Sequence, residues 1–243
     1  MAVENVSVTT PDGECPVVVV TPEGSRPWPA VLLFMDAGGV RQTLVDMAAT
    51  IAGRGHVVAL PELYYRAGAY RPFDVATVFT DPPERARLME MGRSVRDGQA
   101  MRDVDALLRW LAERPDVRGG AVGCTGYCMG GRIALAAAGT FPDRVAAAAS
   151  FHGGNLAPDE PAGPHTLAPA VRARVYVGVA RDDASFPPDQ EQRLAAAYAD
   201  AGVDARIEHY EAAHGFAVPD NPTYDPAAGR RHDEVLRELF AGL

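Results

Sequence analysis

The sequence contains no lysine; all 23 of its basic residues are arginine. Schiff-base chemistry at a lysine and a phosphate-binding loop that ends in lysine are therefore excluded. Only three cysteines occur among 243 residues. Cys15, Cys124 and Cys128 have no metal-like or disulfide-like spacing, so neither a zinc site nor a disulfide framework is expected, and a reduced, cytoplasmic setting is the simplest reading. No apolar run approaches the roughly 20 residues that a membrane-spanning helix needs. Met1-Ala2-Val3-Glu4 lacks a basic region followed by an apolar one, so a secretory signal is not expected. The formal net charge is -9, which argues against a nucleic-acid partner.

What is present is a hydrophobic content of 47%, enough for a sizeable core. Strand and helix patterns alternate along the chain. Residues 4–9 and 15–20 read as strands, and Thr10-Pro11-Asp12-Gly13 between them reads as the turn of an N-terminal hairpin. Apolar runs at 30–35, 56–60, 121–124, 146–151 and 175–179 have the length of buried strands, and 205–210 reads as the last strand. Helical spacing appears at 42–52, 94–113, 133–138, 188–199 and 226–239. Residues 67–94, with Pro72, Pro82 and Pro83, read as an irregular excursion with one short helix near 83–91. These patterns predict one α/β domain over 1–243, with a mostly parallel central sheet and helices on both faces. In such a sheet, sites form beyond the carboxyl ends of the strands. Asp36, Glu62, Cys128, His152, Asp183 and His214 all follow predicted strands, so the fold would gather them on one edge.

Gly126-Tyr127-Cys128-Met129-Gly130-Gly131 lies between an apolar strand and a small-residue helix. Glycines on both sides permit a sharp turn with Cys128 at its apex, which is the nucleophile elbow of an α/β-hydrolase with a thiol in place of the usual hydroxyl. The helix that starts there favours negative charge at the sulfur. A thiol nucleophile needs a base, and the base needs an orienting carboxylate; in this fold the chain order is nucleophile, acid, histidine. His214 follows the last strand and is the expected base. His152 comes too early in that order and is expected to line the pocket. His209 sits inside a strand, His165 in a proline-rich loop and His232 on a surface helix. The acid lies after the strand at 175–179, where Asp182 and Asp183 are equivalent by position. An oxyanion hole would take one backbone N–H from Met129 and a second from the Asp36-Ala37-Gly38-Gly39 loop, with Ala37 the expected donor.

Together these segments resemble the dienelactone hydrolase family (carboxymethylenebutenolidase-like enzymes). The elbow resembles its G-x-C-x-G-G motif, and Pro61-Glu62-Leu63-Tyr64-Tyr65-Arg66 is similar to its P-D-L-Y-x-R segment. Asp183-Ala184-Ser185-Phe186-Pro187 is similar to its D-x-x-x-P motif, and His214-Gly215-Phe216 to its H-G-F motif. The resemblance implies a Cys128–His214–Asp183 triad that cleaves a small lactone or ester through a thioester, with no cofactor and no metal. It favours Asp183 over Asp182. It also implies that Asp36, where the founding enzymes carry glutamate, restrains the resting thiol, and that Glu62, Tyr64, Arg66 and His152 line the substrate site. Arg41, Arg66, Arg71, Arg132 and Arg206 are candidates for a substrate carboxylate. The expected partner is a small molecule, and the chain is expected as a monomer or homodimer. The rival readings are a thioesterase or peptidase on the same scaffold, a redox sensor using Cys128, and a non-catalytic protein that retains the fold.

Overall fold

The structure is a computed structural model and describes residues 1–24, 27–160 and 162–243. The described residues build around one eight-stranded sheet. Its strands are β1 (Ala2–Thr10), β2 (Gly13–Thr21), β3 (Ala30–Phe34), β4 (Val57–Pro61), β5 (Val122–Tyr127), β6 (Val145–Phe151), β7 (Arg174–Ala180) and β8 (Ala205–Tyr210), in the order β1-β2-β4-β3-β5-β6-β7-β8. β1 and β2 form the expected hairpin, and β2 adds to β4 antiparallel. From β4 to β8 every pairing is parallel. The continuous apolar runs follow from this arrangement: β3, β4 and β5 are buried along their whole length because both faces are covered.

The described residues form six α-helices: α1 (Gln42–Ala52), α2 (Pro82–Ser94), α3 (Asp97–Glu113), α4 (Met129–Thr140), α5 (Pro188–Ala201) and α6 (Pro226–Phe240). A Cβ added at Gly123 of β5 would meet Phe240 of α6, whereas one at Gly126 would meet Gly130 of α4. The two positions are an odd number of residues apart and so point to opposite faces. α6 therefore lies on one face and α4 on the other. α1 joins α6, since Arg54 just beyond α1 donates to the Asp233 carbonyl and His56 bonds the Phe240 carbonyl.

Three expectations need correction. The excursion holds a longer helix than predicted, α2, because Pro82 and Pro83 occupy its first turn, where no N–H is needed, and the Asp81 carboxylate caps Glu84. The helix predicted from 94 starts at Asp97 instead, after a break at Val95 and Arg96. His232, expected on a surface, is buried: its Nε2 bonds the Tyr127 hydroxyl at 2.8 Å and its ring meets Phe151 edge to face. It occupies the apolar stripe of α6, which also carries Ala228, Val235, Leu236 and Phe240. A 3₁₀ segment at Pro164–Ala170 was not anticipated. Among the described residues, no helix is long and apolar enough to cross a membrane.

Candidate active site

β5 ends at Tyr127, and Cys128 makes the turn into α4 at φ 54°, ψ -117°. A side chain held in this sparsely populated region needs its surroundings to enforce it. The adjacent glycines show how. A Cβ at Gly126 would lie 2.2 Å from the Gly130 carbonyl carbon and oxygen, and one at Gly130 would lie 2.4 Å from the Phe34 carbonyl oxygen. Strand, helix and the end of β3 thus approach within backbone contact. The Cys128 N–H donates to the Phe151 carbonyl at 3.2 Å, and its carbonyl accepts from Gly131 N–H at 3.1 Å. Met129 opens α4, so its N–H has no carbonyl four residues back within the helix and stands at the positive end of the helix dipole.

The loop after β3 lies beside this turn and is held from two sides. The Tyr64 hydroxyl donates to the Ala37 carbonyl at 2.9 Å and lies 3.7 Å from the Met129 sulfur, linking the two residues expected to form an oxyanion hole. Glu62 accepts from Val40 N–H at 3.2 Å, Tyr64 N–H at 2.9 Å and the Tyr70 hydroxyl at 2.9 Å. Tyr70 and Val75 of the excursion crowd Gly39 and Gly38, whose missing side chains make room for them.

His214 follows β8. Its Nδ1 lies 2.7 Å from Asp183 Oδ2. Asp183 Oδ1 accepts from both the N–H and the hydroxyl of Ser185, at 2.9 and 2.6 Å. The two adjacent aspartates are separated by exposure: the Asp183 side chain is 4% exposed and that of Asp182 is 93% exposed. Asp182 takes a positive φ of 52°, turns to solvent and has Arg181 at 3.9 Å. Burial disfavours a charged His214, but hydrogen bonds to Asp183 and Cys128, and the negative charge of both, raise its pKa to about 10. Burial also acts to raise the Asp183 pKa; the bond and charge of His214, helped by Ser185, bring it below the ordinary 3.8. With Nδ1 committed to Asp183, Nε2 is the atom left for Cys128.

The remaining residues divide. His152 is at the site: it takes φ 40°, is fully buried, and its ring centroid lies 5.0 Å from that of His214 and 5.1 Å from that of Phe216. Neither ring nitrogen has a partner among the described residues. Burial, and then the neighbouring His214, push its pKa well below 6.5, so it is neutral. Asp36 is at the site, where its carboxylate is engaged by Arg41 and the loop backbone. Its Oδ1 accepts from Gly38 N–H at 2.9 Å and Arg41 at 2.7 Å, and its Oδ2 accepts from Arg41 at 2.9 Å. Arg41 forms a second fork to Asp220, at 2.6 and 2.8 Å, and Asp220 also accepts from Thr43. Sequence reasoning missed this bridge between the loop after β3 and the loop after His214, because its two ends lie far apart in the chain. It also missed Ser185, although a serine two residues after an aspartate is a recognisable local capping pattern. Arg66 is not brought to Cys128: it pairs with Asp103 and with Asp12 in the β1–β2 turn. β2 is three strands from β5, roughly 14 Å at ordinary strand spacing. Among the described residues no cluster of three or more His, Cys, Asp or Glu is suited to hold a metal ion.

A mostly parallel sheet with a strained turn after its central strand, and an Asp–His pair at the ends of later strands, defines the α/β-hydrolase fold. Comparison with known proteins narrows this. Residues 15–243 match the sequence profile of the dienelactone hydrolase family; the chain belongs to that family and is a hydrolase of lactone or ester bonds. It is 27% identical over 241 residues to a candidate carboxymethylenebutenolidase of Salmonella typhi, covering 97% of this chain and 85% of that one. It is 26% identical over 214 residues to the carboxymethylenebutenolidase of Pseudomonas sp. strain P51, covering 87% and 84%. The crystal structure of a candidate dienelactone hydrolase from Klebsiella pneumoniae superposes with a TM-score of 0.84 at 25% identity, over 100% of this chain and 99% of that one.

Proposed function

We propose that the protein cleaves a small lactone or carboxylic ester by covalent catalysis at Cys128, with His214 as the base and Asp183 as its orienter. The observation that supports this most directly is the placement of His214: one ring nitrogen is held by the buried Asp183 carboxylate and the other is left for the sulfur at the strained turn. With the thiol proton held on His214 Nε2, the sulfur attacks the substrate carbonyl carbon. The carbonyl oxygen becomes an oxyanion, which the N–H groups of Met129 and Ala37 stabilise. His214 then returns the proton to the alkoxide as the C–O bond breaks; the alcohol of an ester leaves, and the hydroxyl of a lactone stays tethered to the acyl group. The acyl group remains on Cys128 as a thioester. Water, deprotonated by His214, attacks that thioester, and the sulfur departs to regenerate the starting state with release of a carboxylic acid. His152, neutral and buried, forms one wall beside His214. We take residues 1–243 as one catalytic domain, and the three free cysteines fit a reducing cytoplasmic setting.

The redox alternative has no resolving partner nearby. Cys124 is buried four residues back on an extended strand, roughly 13 Å along the chain, beyond the reach of a disulfide. Hydrolysis of a small aryl ester by wild type and by Cys128→Ala tests the proposal. The substitution should remove at least a thousandfold of kcat/KM, and equal rates would overturn the nucleophile assignment.

A further inference from the structure

The geometry points to an uncharged acyl group as the preferred substrate, rather than one that carries its own carboxylate beside the reacting carbonyl; this rests on Cys128 as the nucleophile. A carboxylate-bearing lactone needs a cation with donors to spare. Each arginine that the sequence offers for that role is paired with at least one carboxylate, and those on the site side of the sheet are forked. Arg41 is only 14% exposed and is forked to Asp36 and Asp220. Arg66 pairs with Asp12 and Asp103 three strands away. Arg132, one turn into α4, is forked to Asp97 and also meets the Asn155 carbonyl. Arg71, 71% exposed, pairs with Glu84 of α2, and Arg206 lies at the amino end of β8, opposite the site, and pairs with Glu208.

The groups around the reacting centre also sum to negative charge. Asp36, Glu62, Asp183 and Asp220 are four carboxylates. The cationic groups bonded to them are one guanidinium, Arg41, and one imidazole, His214. Moving the proton between Cys128 and His214 leaves that balance unchanged, so it is negative in either resting state. The Tyr64 hydroxyl, seated between Ala37 and Met129, registers the same field: burial, then the charges of Asp36, Cys128, Tyr70 and Glu62, hold its proton on. A substrate carboxylate placed here would face repulsion and would lose its hydration without finding a donor pair. The positive end of α4 does not offset this, because the oxyanion and the sulfur occupy it.

The test compares two saturated five-membered lactones that differ in one group: the ring 3-carboxylate and the corresponding 3-carboxamide, which is neutral and close in shape. Ring opening is followed by pH-stat at constant temperature, with uncatalysed rates subtracted. The carboxamide should show kcat/KM about fiftyfold higher, the factor for one uncompensated like charge about 7 Å away at an effective dielectric constant of about 20. The gap should narrow between 20 mM and 500 mM salt, as screening demands. Equal rates, a faster carboxylate, or no turnover of the carboxamide would overturn the inference. Cys128→Ala is run with the same carboxamide. If the two lactones are cleaved equally and Cys128→Ala is inert, only the charge preference fails. If Cys128→Ala remains active, the reading of Cys128 fails.

Discussion

Replacing Arg41 with methionine would remove the link between the loop after β3 and the loop that follows His214. Arg41 makes four side-chain bonds to two carboxylates, and a fifth to the Gly39 carbonyl at 3.1 Å. Methionine fills much of the volume and offers no donor. Asp36, whose side chain is 8% exposed, would keep only the Gly38 N–H at Oδ1 and lose the partner of Oδ2. Breaking a buried ion pair from one side costs about 3–5 kcal/mol. Asp220 is a third exposed and can be rehydrated, so its half is discounted and the Asp36 half dominates. An expected loss of about 3 kcal/mol follows, equivalent to a fall in melting temperature of about 6 °C for a chain of this length at about 2.1 cal/mol/K per residue. Guanidinium unfolding should show a lower midpoint at an unchanged slope. Arg41→Lys keeps the charge but cannot form two forks, and should fall between the two. Asp36→Asn combined with Arg41→Met should recover part of the loss, because the stranded charge is gone. kcat should fall more than KM rises, since the displaced loop carries Ala37. A loss below 1 kcal/mol, with no recovery in the double variant, would refute the reasoning and make Arg41 an ordinary surface pair.

Other outcomes follow from the same geometry. Asp183→Asn should lower kcat by about 10²–10⁴ through loss of the His214 orienter, whereas Asp182→Asn should leave it within about twofold; steady-state assays of the two variants check this. Gly126→Ala places a Cβ 2.2 Å from Gly130 backbone atoms that cannot yield, so activity should be lost and the melting temperature lowered, as a thermal melt and an ester assay would show. Tyr127→Phe leaves the buried His232 Nε2 without its 2.8 Å partner and should cost about 1–3 kcal/mol in chemical denaturation with little change in kcat. For pH, a folded pKa raised above the unfolded value stabilises below the latter. The His214 contribution should therefore be complete below about 6.5 and disappear as pH rises through about 10. Asp183 has the opposite sign: its folded pKa lies below 3.8, so its contribution is present above 3.8 and is lost as pH falls through the depressed folded value. The stability difference between wild type and His214→Gln, measured from pH 5 to 10.5, should shrink across the alkaline half of that range.

The parallel sheet was legible because burial on both faces writes itself as unbroken apolar runs, as at Ala30–Phe34 and Val57–Pro61. The elbow was legible because close backbone approach admits only glycine at 126 and 130. The α2 helix was underestimated because it opens on two prolines and only Leu88 is buried, so no apolar stripe marks its length. Partnering between side chains was the least legible layer. Asp182 and Asp183 have the same chemistry and equivalent positions, so only the D-x-x-x-P resemblance favoured Asp183, and the turn at Asp182 is what faces the two apart. Asp36 is placed beside the site by its strand, yet its partner Arg41 is set by a loop fold that no periodicity encodes. Arg66 follows a strand end as a site residue would, but the hairpin at the far side of the sheet claims it. For His232 a signal was available: its spacing from Ala228, Val235 and Leu236 matches the buried stripe of α6.

The central claim is that an acyl group passes through Cys128. Rapid acid quench of the protein mixed with excess aryl acetate, followed by intact mass measurement and peptide mapping, tests it most directly. One acetyl group per chain, carried on the Cys128 peptide, absent from Cys128→Ala and appearing within the first turnover, is the expected result. Turnover by wild type with no adduct at Cys128 in the steady state or the burst, or an adduct and turnover that persist in Cys128→Ala, would contradict it.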